Sequence, residues 1–218
     1  MCGASSAVMA VAALGKIKYE ATQEAELQKN IYSDNGQGIN EVSMRKTDEN
    51  GNYIFDQNGK YVYNYGYKDC GNKQGGAFSI TSTTNCNENH FQGIVNYLDY
   101  KDVDVEKYYK NADQNYEKVT DNTPKDKSQT AQSILYTYDF DVIKGAIDNG
   151  QIVIQGMTTP DDHIFVVKGY TKDGGIVVND PYKDNNLDNN YSTNGKDAIY
   201  YMNKPGQPTS GYTLVLKK

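Results

Sequence analysis

The chain opens on a nearly unbroken apolar stretch. Residues 2–14 (CGASSAVMAVAAL) place small and apolar side chains on most sides of a 3.6-residue period, with no breaker after Gly3. They predict a helix that is central rather than surface-lying, and Gly15 is placed to cap it. Residues 19–30 (YEATQEAELQKN) predict a second helix, polar and exposed. Later, Phe91, Ile94, Val95 and Leu98 recur at helical spacing within residues 88–100. Residues 101–132 are charged, with a loop expected over 121–129. Asp139 reads as the N-cap of a short helix over 140–148 that ends at Asn149-Gly150. Strand-like runs follow at 152–156, 163–170, 175–180, 198–202 and 212–216. Helices first and an antiparallel sheet afterwards mean α+β: a helical lobe facing a β lobe, expected as a single domain over 1–218.

Residues 33–89 break this order. The units 49–56 (ENGNYIFD) and 57–64 (QNGKYVYN) repeat one another, each with Asn-Gly before alternating aromatic and β-branched residues. Asn-Gly is the strongest two-residue hairpin signal, so 33–89 is expected to be a β-hairpin-rich insertion that supplies no site residue. The second unit weakly resembles the Asp-x-Asn-Gly repeats of bacterial cell-wall-binding modules; a plain hairpin is the preferred reading.

Composition narrows the partners. A net charge of −6 with no basic cluster excludes a phosphate-backbone reader, so no nucleic acid is expected. No apolar run reaches the ~18 residues that a membrane span needs. Residues 7–14 lack a basic segment before them and do not read as a signal peptide; the targeting segment of an exported protein would lie outside this chain. Cys86 and His90 have a metal-like spacing, but no second ligand pair completes a site, so neither metal nor cofactor is expected.

Three cysteines cannot all pair with one another. Cys70 and Cys86 share a polar region and can close a short loop, which leaves Cys2 odd; three reduced thiols fit the count equally well. Cys2 stands immediately before the first helix, where the helix dipole and unpaired N–H groups favour thiolate. Of two histidines, His90 lies in a polar stretch, whereas His163 begins the strongest strand run (HIFVVKGY), held yet within reach of the surface. Asp180 ends the next run (IVVND). A four-residue loop over 171–174 would set Phe165 opposite Asp180, making His163 and Asp180 diagonal neighbours within ~7–8 Å. A two-residue turn would move them a further step apart.

Here a resemblance becomes specific. Cys2-Gly3-Ala4-Ser5-Ser6-Ala7-Val8-Met9, then His163-Ile164-Phe165-Val166-Val167-Lys168-Gly169-Tyr170, then Val178-Asn179-Asp180-Pro181-Tyr182 resemble the blocks of bacterial peptidases related to the double-glycine, bacteriocin-processing leader peptidases. These papain-like enzymes carry Cys-Gly-Pro-x-Ser-x-x-Met, His-x-Val-Val-x-x-Gly-Tyr and Asn-Asp-Pro. The resemblance implies a papain-like fold with a central helix bearing the nucleophile Cys2, His163 as general base and Asp180 as its orienter. It implies a peptide or protein substrate, and a secreted or cell-surface bacterial protein, with a cytoplasmic one still open. Two positions depart. Ala4 replaces Pro, and only Met1 stands where the family carries an oxyanion-stabilising Gln before the cysteine. The chain then starts too late, or another donor serves, or activity is impaired. Two other readings compete: an N-terminal-nucleophile amide hydrolase using Cys2 after loss of Met1, and a non-catalytic surface or binding protein.

Overall fold

The computed structural model describes residues 2–17, 46–62, 90–159, 163–181, 198–205 and 209–218. The helix expected over 19–30, Cys70 and Cys86 lie outside the described residues. The chain divides into two compact units, one running over Gly3–Val103 and the other over Asp104–Lys218, with Cys2 grouped in the second.

In the first unit, α1 (Cys2–Ala13) and α2 (His90–Tyr100) form where the apolar patterns predict them. Ala7, Val8, Ala10, Val11 and Ala12 are all buried, so α1 is apolar around most of its girth. It stops at Gly15, which adopts φ +73° while Lys16 N–H returns to the Val11 carbonyl at 3.1 Å.

The second unit is built on a five-stranded antiparallel sheet. Its strands are β3 (Ile152–Thr159), β4 (His163–Tyr170), β5 (Ile176–Asn179), β6 (Ala198–Tyr200) and β7 (Thr209–Leu216), in the order β6-β5-β4-β3-β7. Before it come β1 (Tyr108–Lys110), β2 (Tyr116–Lys118), α3 (Lys125–Thr130) and α4 (Phe140–Asp148). The chain is thus α+β, as its pattern predicts. Asp139 caps α4 by accepting the N–H groups of Asp141 and Val142, each at 3.0 Å. Ile143 and Ala146 of α4 join Val153, Phe165, Val167, Ile176, Val178 and Val215 in one buried cluster. That cluster lies on the face of β4 that also bears His163, two residues before Phe165. The β1–β2 hairpin and α3 were not anticipated: three-residue strands and a six-residue helix are too short to show a period.

Among the described residues one kind of turn occurs four times. At residues 48–52, 56–60, 111–115 and 171–175, a three-residue loop is closed by a backbone bond from its fourth N–H to its first carbonyl. In each, the first side chain (Asp48, Asp56, Asn111, Thr171) accepts the N–H of the fifth residue at 2.8–3.0 Å. The fourth residue is left-handed: Gly51, Gly59, Gln114 and Gly174. The Asn-Gly pairs therefore sit inside three-residue loops, with the leading aspartate fixing the geometry, rather than forming two-residue turns. The hairpin between β4 and β5 likewise closes around three residues, from Thr171 to Gly175, and not the four expected. Among the described residues no helix is long and apolar enough to cross a membrane.

Gln114 holds φ +66° without a glycine's freedom, and its side chain is exposed. Relieving a left-handed L-residue is worth ~1–2 kcal/mol, of which glycine's extra chain entropy takes back ~0.5–1. Gln114→Gly should raise stability by up to about 1 kcal/mol, read as a Tm increase of roughly 2–4 °C by thermal unfolding. An unchanged or lower Tm would count against a strained turn.

Candidate active site

The loop length alone would separate His163 and Asp180, the two candidate residues of the β sheet. With Thr171 closing on Gly175, Tyr170 pairs with Ile176 and Gly169 with Val177. Continued unchanged, that register would put Asp180 on the face opposite His163. A bulge intervenes. Lys168 is an extra residue on β4, so Val167 pairs with Val178 and Val166 with Asn179. One step further, Phe165 stands opposite Asp180, as expected, although by a different route. His163 Nε2 and Asp180 Oδ1 meet at 2.7 Å. His163 is 2% exposed and Asp180 1%.

Cys2 is the first residue of α1, half-buried and a free thiol. The His163 imidazole and the Ile164 backbone N–H both lie close enough to act on its sulfur. Burial by itself pushes the Cys2 thiol up; the nearby His163 imidazole and its charge, with the Ile164 backbone N–H, outweigh it and hold the thiol below its ordinary range. His163 shows the converse. Burial disfavours its charged form, but the hydrogen bond and charge of Asp180, with the nearby Cys2 sulfur, raise it to about 9. Each partner thus favours the ionised form of the other: thiolate facing imidazolium.

Cys2, His163 and Asp180 are therefore brought together in a row, with His163 acting on Cys2 at one side and hydrogen-bonded to Asp180 at the other. His90 opens α2 in the first unit. Among the described residues no group of three His, Cys, Asp or Glu side chains converges as a metal site. One neighbour escaped the sequence reading. Tyr200 donates its hydroxyl to Asp180 Oδ2 at 2.6 Å. Its ring lies 5.1 Å from that of Phe165, which in turn lies 5.8 Å from the His163 ring. One tyrosine among 20 carries no signal of its own; only the alternation of the 198–202 run hints that Tyr200 shares a face with the core.

The Peptidase_C39 like family has a sequence model that matches residues 1–205 of this chain. No curated protein and no solved structure matches it.

The electrostatics predict how Cys2 reacts. Its alkylation rate with iodoacetamide, followed by peptide mass spectrometry, should rise with a midpoint below the ordinary thiol value of ~8.5. His163→Ala should move that midpoint upward, because burial then acts on the thiol without its partner. A wild-type midpoint at or above the ordinary value would contradict the pairing. The same shift bears on stability. With His163 raised, its contribution is complete below ~6.5 and is lost as pH climbs through about 9.

Proposed function

The chain belongs to the Peptidase_C39 like family, and from that premise we propose that it is a papain-like cysteine peptidase that cleaves peptide bonds through an acyl-thioester on Cys2. The observation that supports this reading is the buried His163–Asp180 pair with the thiol of Cys2 beside its imidazole, a nucleophile, a base and an orienter in order. The Cys2 thiolate attacks the scissile carbonyl. His163 holds Asp180 through Nε2, so Nδ1 is the nitrogen that passes the proton to the departing amine. Water then enters, His163 takes its proton, and the thioester breaks to release the acid and restore the thiolate. Asp180 accepts from the imidazole throughout and stabilises its charged form.

The oxyanion that forms during attack needs donors. Cys2 stands at the start of α1, whose first N–H groups have no partner within the helix. Its backbone N–H is accordingly one donor in this proposal. The substrate is a peptide or protein segment.

The N-terminal-nucleophile alternative has less support. In that chemistry the α-amine of the first residue is the base and the cysteine begins a strand, whereas Cys2 begins a helix and already has an imidazole against its sulfur.

The test is cleavage of a diverse peptide library, read by mass spectrometry, with wild type, Cys2→Ser, His163→Ala and Asp180→Asn. Wild type should cleave and Cys2→Ser should not. His163→Ala should lose on the order of a thousandfold. Asp180→Asn should lose about tenfold, the difference between a charged and a neutral acceptor. Against pH, kcat/KM should form a bell whose acid limb reports Cys2 and whose alkaline limb falls near 9 as His163 loses its proton. Residues added before Cys2, a Gln among them, should be tolerated. Loss of activity on extension, with His163→Ala still active, would favour the α-amine mechanism instead.

A further inference from the structure

We propose that Tyr200 is a positioning residue for the candidate site, acting through Asp180: its hydroxyl fixes the carboxylate so that the other oxygen stays aimed at His163. The inference rests on the peptidase reading and extends it to a residue outside the row of three.

The geometry is specific. Asp180 follows β5 directly, at the end of a strand, where a short side chain has more than one staggered rotamer to choose from. Two donors hold its two oxygens: His163 Nε2 on Oδ1 at 2.7 Å and Tyr200 Oη on Oδ2 at 2.6 Å. Bound at both ends, the carboxylate has one orientation left. The phenol comes from β6, one strand beyond β5 and two away from β4, so the three groups span three strands. β6 pairs Tyr200 with Ile176 and Ala198 with Val178. Residues 176, 178 and 180 share a face, so Tyr200 must lean along the strand, past Ala198, to reach Asp180. Ala198 is 1% exposed, and its single methyl leaves the ring room.

The ring is braced as well. Phe165 stands between it and His163, with centroids 5.1 Å and 5.8 Å away. The aromatic row sets the distance between phenol and imidazole, and the carboxylate bridges their polar tips. Tyr200 also stays a donor: burial, and then the hydrogen bond and charge of Asp180, push its hydroxyl far above the ordinary tyrosine range. A phenol that keeps its proton cannot drift into the role of base.

Tyr200→Phe removes one oxygen and keeps the ring. Two readouts need no substrate. The first is the rate of Cys2 alkylation near pH 6, which should fall on the order of tenfold as the loosened carboxylate stabilises the imidazolium less. The second is the proton resonance of His163 Nε2–H, which should broaden as its bond to Asp180 loosens. Where hydrolysis is measurable, kcat should fall by a similar factor with KM within about twofold. In an Asp180→Ala background, the same substitution should add little, because its route of action is gone. Circular dichroism confirms that each variant is folded. If Tyr200→Phe leaves Cys2 reactivity and the His163 resonance as in wild type, or costs as much without Asp180 as with it, the positioning role is overturned. A wild type that cleaves nothing, yet shows both readouts shifting in Tyr200→Phe, would instead sink the peptidase reading and leave the positioning role standing.

Discussion

Burying a carboxylate beside an imidazole is tolerable only if each replaces the water that the other has lost. Taking a charged group out of water costs several kcal/mol even after relaxation, and the cost is met only where geometry and further hydrogen bonds are good. His163 and Asp180 satisfy that condition at 2.7 Å, and the Tyr200 hydroxyl meets the second oxygen. The requirement propagates outward. The two residues lie on different strands, so their contact constrains the register of β4 against β5. The third group adds β6 to the constraint. The apolar face beneath, from Phe165 to Val178 and Ile143 of α4, then has only one arrangement compatible with a paired carboxylate.

Cys2 is governed by a balance of a different kind. A thiol in apolar surroundings keeps its proton; one in open water has no fixed partner. Half-buried at the start of a helix, Cys2 is sheltered enough for the His163 charge to act strongly on it, yet open enough to be reached. The small side chains behind it, Ala7, Ala10 and Ala12 among them, let α1 be buried around its girth.

Much of this was legible in the sequence, because the features concerned are local or periodic. The apolar run after Cys2, the Asp139 cap and the strand run opening at His163 each announce an element within a dozen residues. The closeness of His163 and Asp180 could be reached from hairpin geometry, and both assumptions in that derivation needed repair. The turn holds three residues instead of four, and a bulge supplies the missing step. A bulge leaves no mark in composition, since Lys168, where the register shifts, is an ordinary exposed strand residue. Tyr200 stayed hidden for another reason: its significance depends on a strand far along the chain folding back beside β5, which no nearby pattern encodes.

The turn at 171–175 and the bulge at Lys168 behave like a pair of compensating frameshifts. Each displaces the reading of one strand against the other by a single place, and together they restore it in time for Phe165 and Asp180 to face each other. Lengthening the turn by one residue, or deleting Lys168, would send Asp180 to the far side of the sheet while leaving nearly every other residue unchanged. Descendants of such a chain can keep both irregularities or shed both together, but no lineage that retains the pair at the site can pass through the intermediate. Two positions that never touch the chemistry are thereby tied to one another in inheritance.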